Sequence, residues 1–550
     1  MNGKPEIILF GDGSKYYEME LRESKVIVYT PGEPELAKVV NYGFRAPFFL
    51  LFDDQVESGE QAKKKADDLG FSQVAKQFGT GIVFVRPVCG SFSLAKEGMY
   101  EEILEHARIG QFYEDSVTLG WNRFTKQWDE NYIRGGVQRA YLYGKGAAGD
   151  YLAKQVLRTL HGQGLYGPGD VTPAVVVLDS IHTIPVMERE DIPIVSAGNT
   201  PETNTALKTQ TKYYYEQETF DCVRQYEEFG KLYHRMVGNL IEEPDFEKVG
   251  FCMEACAVTL QVSQDNRGVD KEKEVHKVGY VAYYNKEILE KKEPVPLVLC
   301  FHGGGDSAMC MASVSGWYQV ARKYGFLLVA VENHLESTAT EMQELLGILK
   351  EKYPIHEEKI YASGFSMGGC KSWDMMQEYP KVFAAVAPMC ATYEVGLNTS
   401  GEPAIRVNRE ELLPVFYVGG EQSPLPELPF QAVKCLDRMK YVLELNQCKK
   451  QNPYSFEDQS HWENKIYGIS GEVTLQSRNT DRQDSVLTLE LFESGNGKLY
   501  TVFGSVSDQQ HEVRMHSCEH AYRFMNLFSR KKDGTLVGGE ADQVIKELDF

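Results

Sequence analysis

Ser366 lies in IYASGFSMGGC (360–370), inside Gly364-Phe365-Ser366-Met367-Gly368, a G-x-S-x-G pattern. Flanking glycines let a backbone turn sharply between strand and helix and leave the hydroxyl in the open, as a nucleophile requires. The pattern is short and also suits a turn that merely packs a helix on a sheet. A second element upstream narrows the choice: His302-Gly303-Gly304-Gly305 closes the apolar run PVPLVLCF (294–301). Acyl transfer passes through a tetrahedral oxyanion that needs backbone N–H donors already in place, and glycines let the backbone approach it closely. Gly303, Gly304 and Met367, the residue after the serine, are the expected oxyanion donors. A phosphate-cradling loop is the competing reading, but no lysine follows as a P-loop needs.

These groups need strands to aim them. The stretches VGYVAYYNKE (278–287), PVPLVLCFHGGG (294–305), GFLLVAVEN (325–333), KIYASGFS (359–366), FAAVAPMCA (383–391) and LPVFYVGG (413–420) read as strands, most of them short apolar runs ending in turn residues. TEMQELLGILKEKY (340–353) carries Met342, Leu345, Leu346 and Leu349 at helical spacing, and CEHAYRFMNLFSR (518–530) reads as a final amphipathic helix. Strands alternating with helices predict a mostly parallel sheet with helices on both faces. The first half repeats the rhythm in APFFLLFDD (46–54), FGTGIVFVRP (78–87), RAYLYGKGAAGDYLAKQVL (139–157), PAVVVLDS (173–180) and IPIVSAGN (192–199). TPETNTALKTQTK (200–212) reads as a polar loop, CVRQYEEFGKLYHRMVGNLIE (222–242) as a closing helix, and SQDNRGVDKEKEVHK (263–277) as a charged hairpin tip. The pattern predicts an α/β chain of two tandem domains, 1–243 and 244–550.

The order and spacing of PLVLCFHGGGDS, YASGFSMGG and AYRFMNLFSR make residues 275–530 resemble the α/β-hydrolase superfamily, most closely the esterase branch of polyhydroxybutyrate-depolymerase-like and feruloyl esterases. The resemblance implies an eight-stranded sheet and a catalytic triad in chain order Ser, Asp/Glu, His, with no metal or organic cofactor. It puts the acid after LPVFYVGG, where GGEQSPLPELP holds no aspartate. Glu421, directly after the strand, is the expected acid, with Glu427 the runner-up. The base belongs on a loop before the last helix, where SVSDQQHEVRMHSCEH offers His511, His516 and His520. His511, ahead of the helix, is the expected base, and His461 is a distant rival. Between acid and base, GEVTLQSR and SVLTLELFES predict a β-rich insertion at about 456–506 that either roofs the pocket or forms a solvent-facing hairpin.

The first half holds the mute copy of the same turn, AYLYGKGAAGD (140–150). Superposing the motifs puts Gly146 on Ser366, Asp53 on His302, and Asp54 and Gln55 on Gly303 and Gly304. Glycine cannot attack a carbonyl, and a carboxylate would repel a developing oxyanion, so the expectation is two tandem α/β-hydrolase-like domains with the first catalytically degenerate. Aromatics in LGWNRFTKQWDENY (119–132) read as core, or as reaching toward the active half.

The whole-chain composition constrains partners rather than fold. A net charge of −21 argues against nucleic acid or an anionic membrane surface as partner. No apolar run approaches ~20 residues, and the start MNGKPEIILFGDGSKYY lacks the basic and apolar regions of a signal peptide. The 11 cysteines are scattered, several in apolar company, which suits reduced buried thiols and a cytoplasmic location. The reading is a serine carboxylesterase acting on a small-molecule ester through an acyl-enzyme, with acyl transfer or amide and peptide cleavage by the same triad as alternatives, a purely binding role as the non-catalytic one, and a homo-oligomer left open.

Overall fold

The computed structural model describes residues 4–113, 121–122, 127–134, 137–156, 172–186, 188–236, 238–268, 270–479 and 485–549, with backbone only at 121–122, 127–128 and 137. The chain divides into two compact units, 1–245 and 246–550. The aromatic stretch 119–132 falls largely outside the described side chains.

The first unit is built on a nine-stranded sheet: β1 Ile8–Leu9, β2 Lys15–Glu20, β3 Ser24–Thr30, β4 Phe48–Phe52, β5 Ile82–Pro87, β6 Ala140–Lys145, β7 Val175–Asp179, β8 Ile194–Ala197 and β9 Tyr214–Gln217. Their order across the sheet is β1-β2-β3-β5-β4-β6-β7-β8-β9. The sheet is antiparallel from β1 to β5 and parallel from there to β9. β4, β7 and β8 are buried at every position, as parallel strands covered on both faces must be.

The second unit carries β10 Phe251–Gln261, β11 Val275–Asn285, β12 Val295–Phe301, β13 Leu327–Val331, β14 Ile355–Phe365, β15 Ala385–Met389, β16 Val415–Gly420, β17 Val473–Arg478, β18 Val486–Glu493 and β19 Leu499–Val506. They form one ten-stranded sheet in the order β10-β11-β13-β12-β14-β15-β16-β19-β18-β17. Strands from β13 to β19 run parallel, and β10–β11, β11–β13, β19–β18 and β18–β17 are antiparallel pairs. Without the short β1 and the added β17 and β18, the two sheets share one order and one set of directions: β2-β3-β5-β4-β6-β7-β8-β9 against β10-β11-β13-β12-β14-β15-β16-β19. β17 and β18, in the stretch read as an insertion that either roofs the pocket or forms a solvent-facing hairpin, continue the sheet past β19.

Two segments depart from the sequence reading. Residues 201–210 form a helix, not a loop: Thr200 caps it by accepting from Thr203 N–H (3.3 Å) and Pro201 opens it, a start signal that the polar composition hid. The expected closing helix runs only over Cys222–Glu228, and a hairpin of Tyr233–Met236 and Asn239–Glu242 follows. The helix ends at Phe229 (φ −140°, ψ −59°), and a 3-10 turn over Gly230–Leu232 follows, where a Cβ on Gly230 would lie 2.5 Å from the Gln225 amide nitrogen. Past it, Phe229 and Tyr233 turn their rings into the core, their centroids 4.8 Å apart.

No helix among the described residues is long and apolar enough to cross a membrane. None of the 11 cysteines is in a disulfide, and Cys222, Cys300, Cys390, Cys435, Cys448 and Cys518 are buried.

The charged connection between β10 and β11 is fastened by one buried carboxylate. Thr338 and Glu341 form a capping box at the start of the helix Ala339–Lys352. The Glu341 carboxylate also accepts from Ser263 N–H (2.8 Å) and Asn266 Nδ2 (3.0 Å), and His276 Nε2 lies 3.3 Å away. Burial alone would raise its pKa, but the bonds from His276, Asn266 and the Ser263 and Thr338 amides hold it at about 2, below its ordinary 4.5. Its stabilisation is therefore present above pH 4.5 and is lost as the pH falls toward 2. Glu341→Gln is expected to destabilise the second unit by ~2–4 kcal/mol at pH 7. In urea unfolding, the gap to wild type is expected to narrow as the pH drops through that window. A constant gap would show that the carboxylate's charge is not what fastens the loop.

Candidate active site

β14 ends at Phe365 and the helix Met367–Glu378 begins at once, leaving Ser366 between them at φ 54°, ψ −120°. A non-glycine residue held there costs ~1–3 kcal/mol, which the surroundings must offset. They do so with backbone bonds: Ser366 N–H donates to Met389 C=O (3.1 Å) and Cys370 N–H to Ser366 C=O (3.0 Å). The turn also needs bare α-carbons. A Cβ on Gly364 would lie 2.2 Å from the Gly368 carbonyl oxygen, and one on Gly368 would lie 2.0 Å from that of Phe301.

The loop between β19 and the helix Met515–Met525 brings His511 to this serine. His511 Nε2 lies 2.9 Å from Ser366 Oγ, and Nδ1 lies 2.6 Å from Glu427 Oε1. The Phe365 ring sits against the imidazole, centroids 4.8 Å apart. Glu427 is fully buried, so its carboxylate must be satisfied by fixed donors. Gly420 N–H (2.7 Å) and Ser423 Oγ (2.6 Å) supply them beside the imidazole. Next to it, the Cys390 thiol is pushed well up, by burial first and then by the Glu427 charge, and it donates to Glu512 C=O at 3.1 Å. That thiol stays protonated and neutral beside the carboxylate.

The acid expected at Glu421 is corrected. Glu421 follows β16 directly, but its N–H bonds Val506 C=O (3.1 Å) and its carboxylate accepts from Ser505 Oγ (2.8 Å), both on the neighbouring β19. The chain must leave the strand and fold back before a carboxylate can reach the imidazole, and Glu427 sits where it returns. The signal available in the sequence was its company: in SPLPELP a lone carboxylate stands between apolar residues and prolines, where a surface residue would be out of place.

The other histidines are engaged elsewhere. His516 Nε2 meets Ser477 Oγ at 2.8 Å, and His520, buried in the helix with Nδ1 on His516 C=O (2.8 Å), has its pKa lowered to about 4 chiefly by burial. His461 is largely exposed, beside Asp458.

The glycine loop lies against the serine turn. A Cβ on Gly303 would meet the Phe365 ring at 3.1 Å and Ser366 Cβ at 3.5 Å, and one on Gly304 would meet Met367 Sδ at 2.6 Å. His302 braces the loop, with Nδ1 2.7 Å from Gly303 C=O and Nε2 2.7 Å from Glu332 C=O. Met367 opens its helix, so its N–H has no acceptor within that helix. The arrangement holds a hydroxyl, an imidazole and a buried carboxylate in line, with the glycine loop packed against the serine turn. Among the described residues, no group of three or more His, Cys, Asp or Glu is set to hold a metal ion.

No family model matches the chain. A bifunctional acetylxylan esterase/xylanase of Neocallimastix patriciarum is 25% identical over 148 residues, which cover 25% of this chain and 20% of that protein. Among solved structures, acetyl xylan esterase from Aspergillus awamori aligns at 12% identity and TM-score 0.30, covering 48% of this chain and 96% of its own. S-formylglutathione hydrolase from Agrobacterium tumefaciens aligns at 10% identity and TM-score 0.28 (36% and 84%), and a ferulic acid esterase at 16% and 0.25 (36% and 85%). Residues 246–550, with a mostly parallel sheet and a serine turn leaving β14 at its middle, have the strand order of an α/β-hydrolase fold. The proteins to which parts of the chain are similar are esterases or hydrolases by name.

The geometry separates the two glutamates sharply. Glu427→Gln is expected to slow covalent capture of Ser366 by a fluorophosphonate by ~10²–10⁴-fold, because the imidazole loses its orienting charge. Glu421→Gln is expected to stay within about twofold of wild type. Equal losses in the two variants would remove Glu427 from this position in the site.

Proposed function

We propose that the second unit is a serine carboxylesterase. The observation that carries the reading is the continuous line from Glu427 through His511 to a strained, outward-facing Ser366, with hydrogen-bond distances of 2.6 and 2.9 Å. Ser366 Oγ attacks the ester carbonyl while His511 Nε2 takes its proton. The new imidazolium is stabilised by Glu427, whose buried carboxylate also fixes the ring's orientation. Gly303, Gly304 and Met367 N–H groups receive the oxyanion, and loss of one such donor typically costs ~10²–10³ in rate. His511 returns the proton to the departing alcohol, leaving an acyl-enzyme. Water then repeats the sequence and releases the acid.

The substrate class proposed is an ester of a short or aromatic acyl group, of the acetyl or feruloyl kind, in keeping with a polyhydroxybutyrate-depolymerase-like or feruloyl-esterase branch. The name of the partial relative, an acetylxylan esterase/xylanase, points the same way. The first unit is proposed to be the degenerate partner of a duplication. It has the same eight-strand order, and Gly146 takes φ 55° where Ser366 takes 54°. Its turn keeps the backbone of a nucleophile elbow without the nucleophile, and the buried Asp53 closes the strand equivalent to the one before His302.

The test is a panel of p-nitrophenyl acyl and hydroxycinnamoyl esters run on wild type and Ser366→Ala, with fluorophosphonate labelling of both. Expected are hydrolysis and one label per chain in wild type, and neither in the variant. Hydrolysis that survives in Ser366→Ala would overturn the reading.

A further inference from the structure

The loop that delivers His511 is flanked by charge. Asp508 precedes the histidine, Glu512 follows it, and Arg514 closes the loop at the N-cap of the helix Met515–Met525. Arg514 is nearly buried, and its guanidinium touches both carboxylates: Nη1 donates to Asp508 Oδ1 (2.8 Å), while Nε (3.2 Å) and Nη2 donate to Glu512 Oε1. One rigid fork thus bridges the two sides of the loop on either side of His511.

The same guanidinium reaches out of the loop. Arg514 Nη1 also donates to Ser485 Oγ (2.7 Å), a buried residue at the start of β18. The β17–β18 pair, which lies beyond the eight-strand order shared by the two units, grips this end of the molecule at further points. Val486 N–H donates to Ser507 Oγ (3.1 Å), Ser507 N–H donates to Val486 C=O (3.1 Å), and Ser477 Oγ meets His516 Nε2 (2.8 Å). These contacts fall just before and just after the loop that carries His511. The added strands therefore hold the loop from the side.

We propose that Arg514 is a positioning residue for the catalytic base, and that β17–β18 serve as the rigid wall to which it fastens the His511 loop. This rests on the esterase reading for its assay, but the geometry it concerns is that of His511 and Ser366 alone. Arg514 does not reach the reacting atoms. It acts by fixing the backbone on both sides of His511, so its loss misplaces the imidazole relative to Ser366 Oγ, and a displacement of ~1 Å can cost on the order of 10²-fold in rate. Substrate binding, set by other walls, is little affected.

The experiment compares wild type, Arg514→Gln, Arg514→Lys and Ser485→Ala at a temperature where thermal unfolding shows each fully folded. Two readouts are taken: kcat and KM on a p-nitrophenyl ester, and the rate of fluorophosphonate capture of Ser366. Arg514→Gln is expected to lower kcat and the capture rate together by at least about tenfold while KM stays within about twofold. Arg514→Lys, which keeps the charge but not the fork, is expected to recover part of both rates, and Ser485→Ala to slow both by a smaller factor than Arg514→Gln. Wild-type kcat and capture rate in Arg514→Gln, with only a lowered unfolding temperature, would overturn the proposal. Should Arg514→Gln not fold, unchanged rates in both Arg514→Lys and Ser485→Ala would overturn it equally. Failure of the esterase reading would look different: wild type would hydrolyse no ester, yet the capture rates would still report whether Arg514 aligns His511 with Ser366.

Discussion

A single steric contact governs the arrangement around the serine: the first turn of the helix Met367–Glu378 is pressed against the end of β12. The Phe301 carbonyl oxygen comes so near Gly368 that a Cβ on that residue would stand 2.0 Å from it, and the space at Gly364 is equally closed by Gly368 itself. Only because both positions lack side chains can the chain leave β14, reverse through Ser366 at positive φ, and start a helix in three residues. The same closeness brings the glycine loop after β12 against Phe365 and Met367, so that the serine turn and the loop are one packed unit. What look like two separate sequence signals are one set of close contacts.

That unity explains why this part of the site was legible. Glycines at fixed spacing mark backbone that tolerates no substitution, and apolar runs mark the buried parallel strands that present it. His511 was read from the family resemblance, which puts the base on a loop ahead of the final helix, whereas His520 lies inside that helix. Glu427 was harder. A carboxylate reaches the imidazole by the path its loop takes after β16, and nothing in local spacing states how many residues that path consumes. The choice of Glu421 assumed the shortest path, and the structure sends that residue sideways onto Ser505. The helix at 201–210 was missed because most of it is polar and exposed, with Leu207 the one large apolar side chain it sends into the core, and only its Thr-Pro start betrays it.

The two units set a natural control beside one another. Their sheets share strand order, and the turns at Gly146 and Ser366 share a backbone angle. In the first unit that angle holds a glycine, to which it is cheap; in the second it holds a serine, to which it is not. A strained conformation retained by a residue ill suited to it is the kind of feature that a fold keeps when the exposed side chain is used. His182, whose Cε1 lies 3.4 Å from where a Cβ on Gly146 would stand, bonds to Asp150.

The position of β19 has a dynamic consequence. In the eight-strand order this strand would be the outermost, and outer strands are where sheets open first under thermal fluctuation. Here β18 and β17 lie outside it, and all of its residues are buried. Fraying, the least costly motion available to the sheet, is thereby displaced onto strands that bear no reactive group. The strand leading to His511 is buried along its whole length, so its amides are expected to exchange slowly, and the imidazole is carried from a backbone shielded by two further strands.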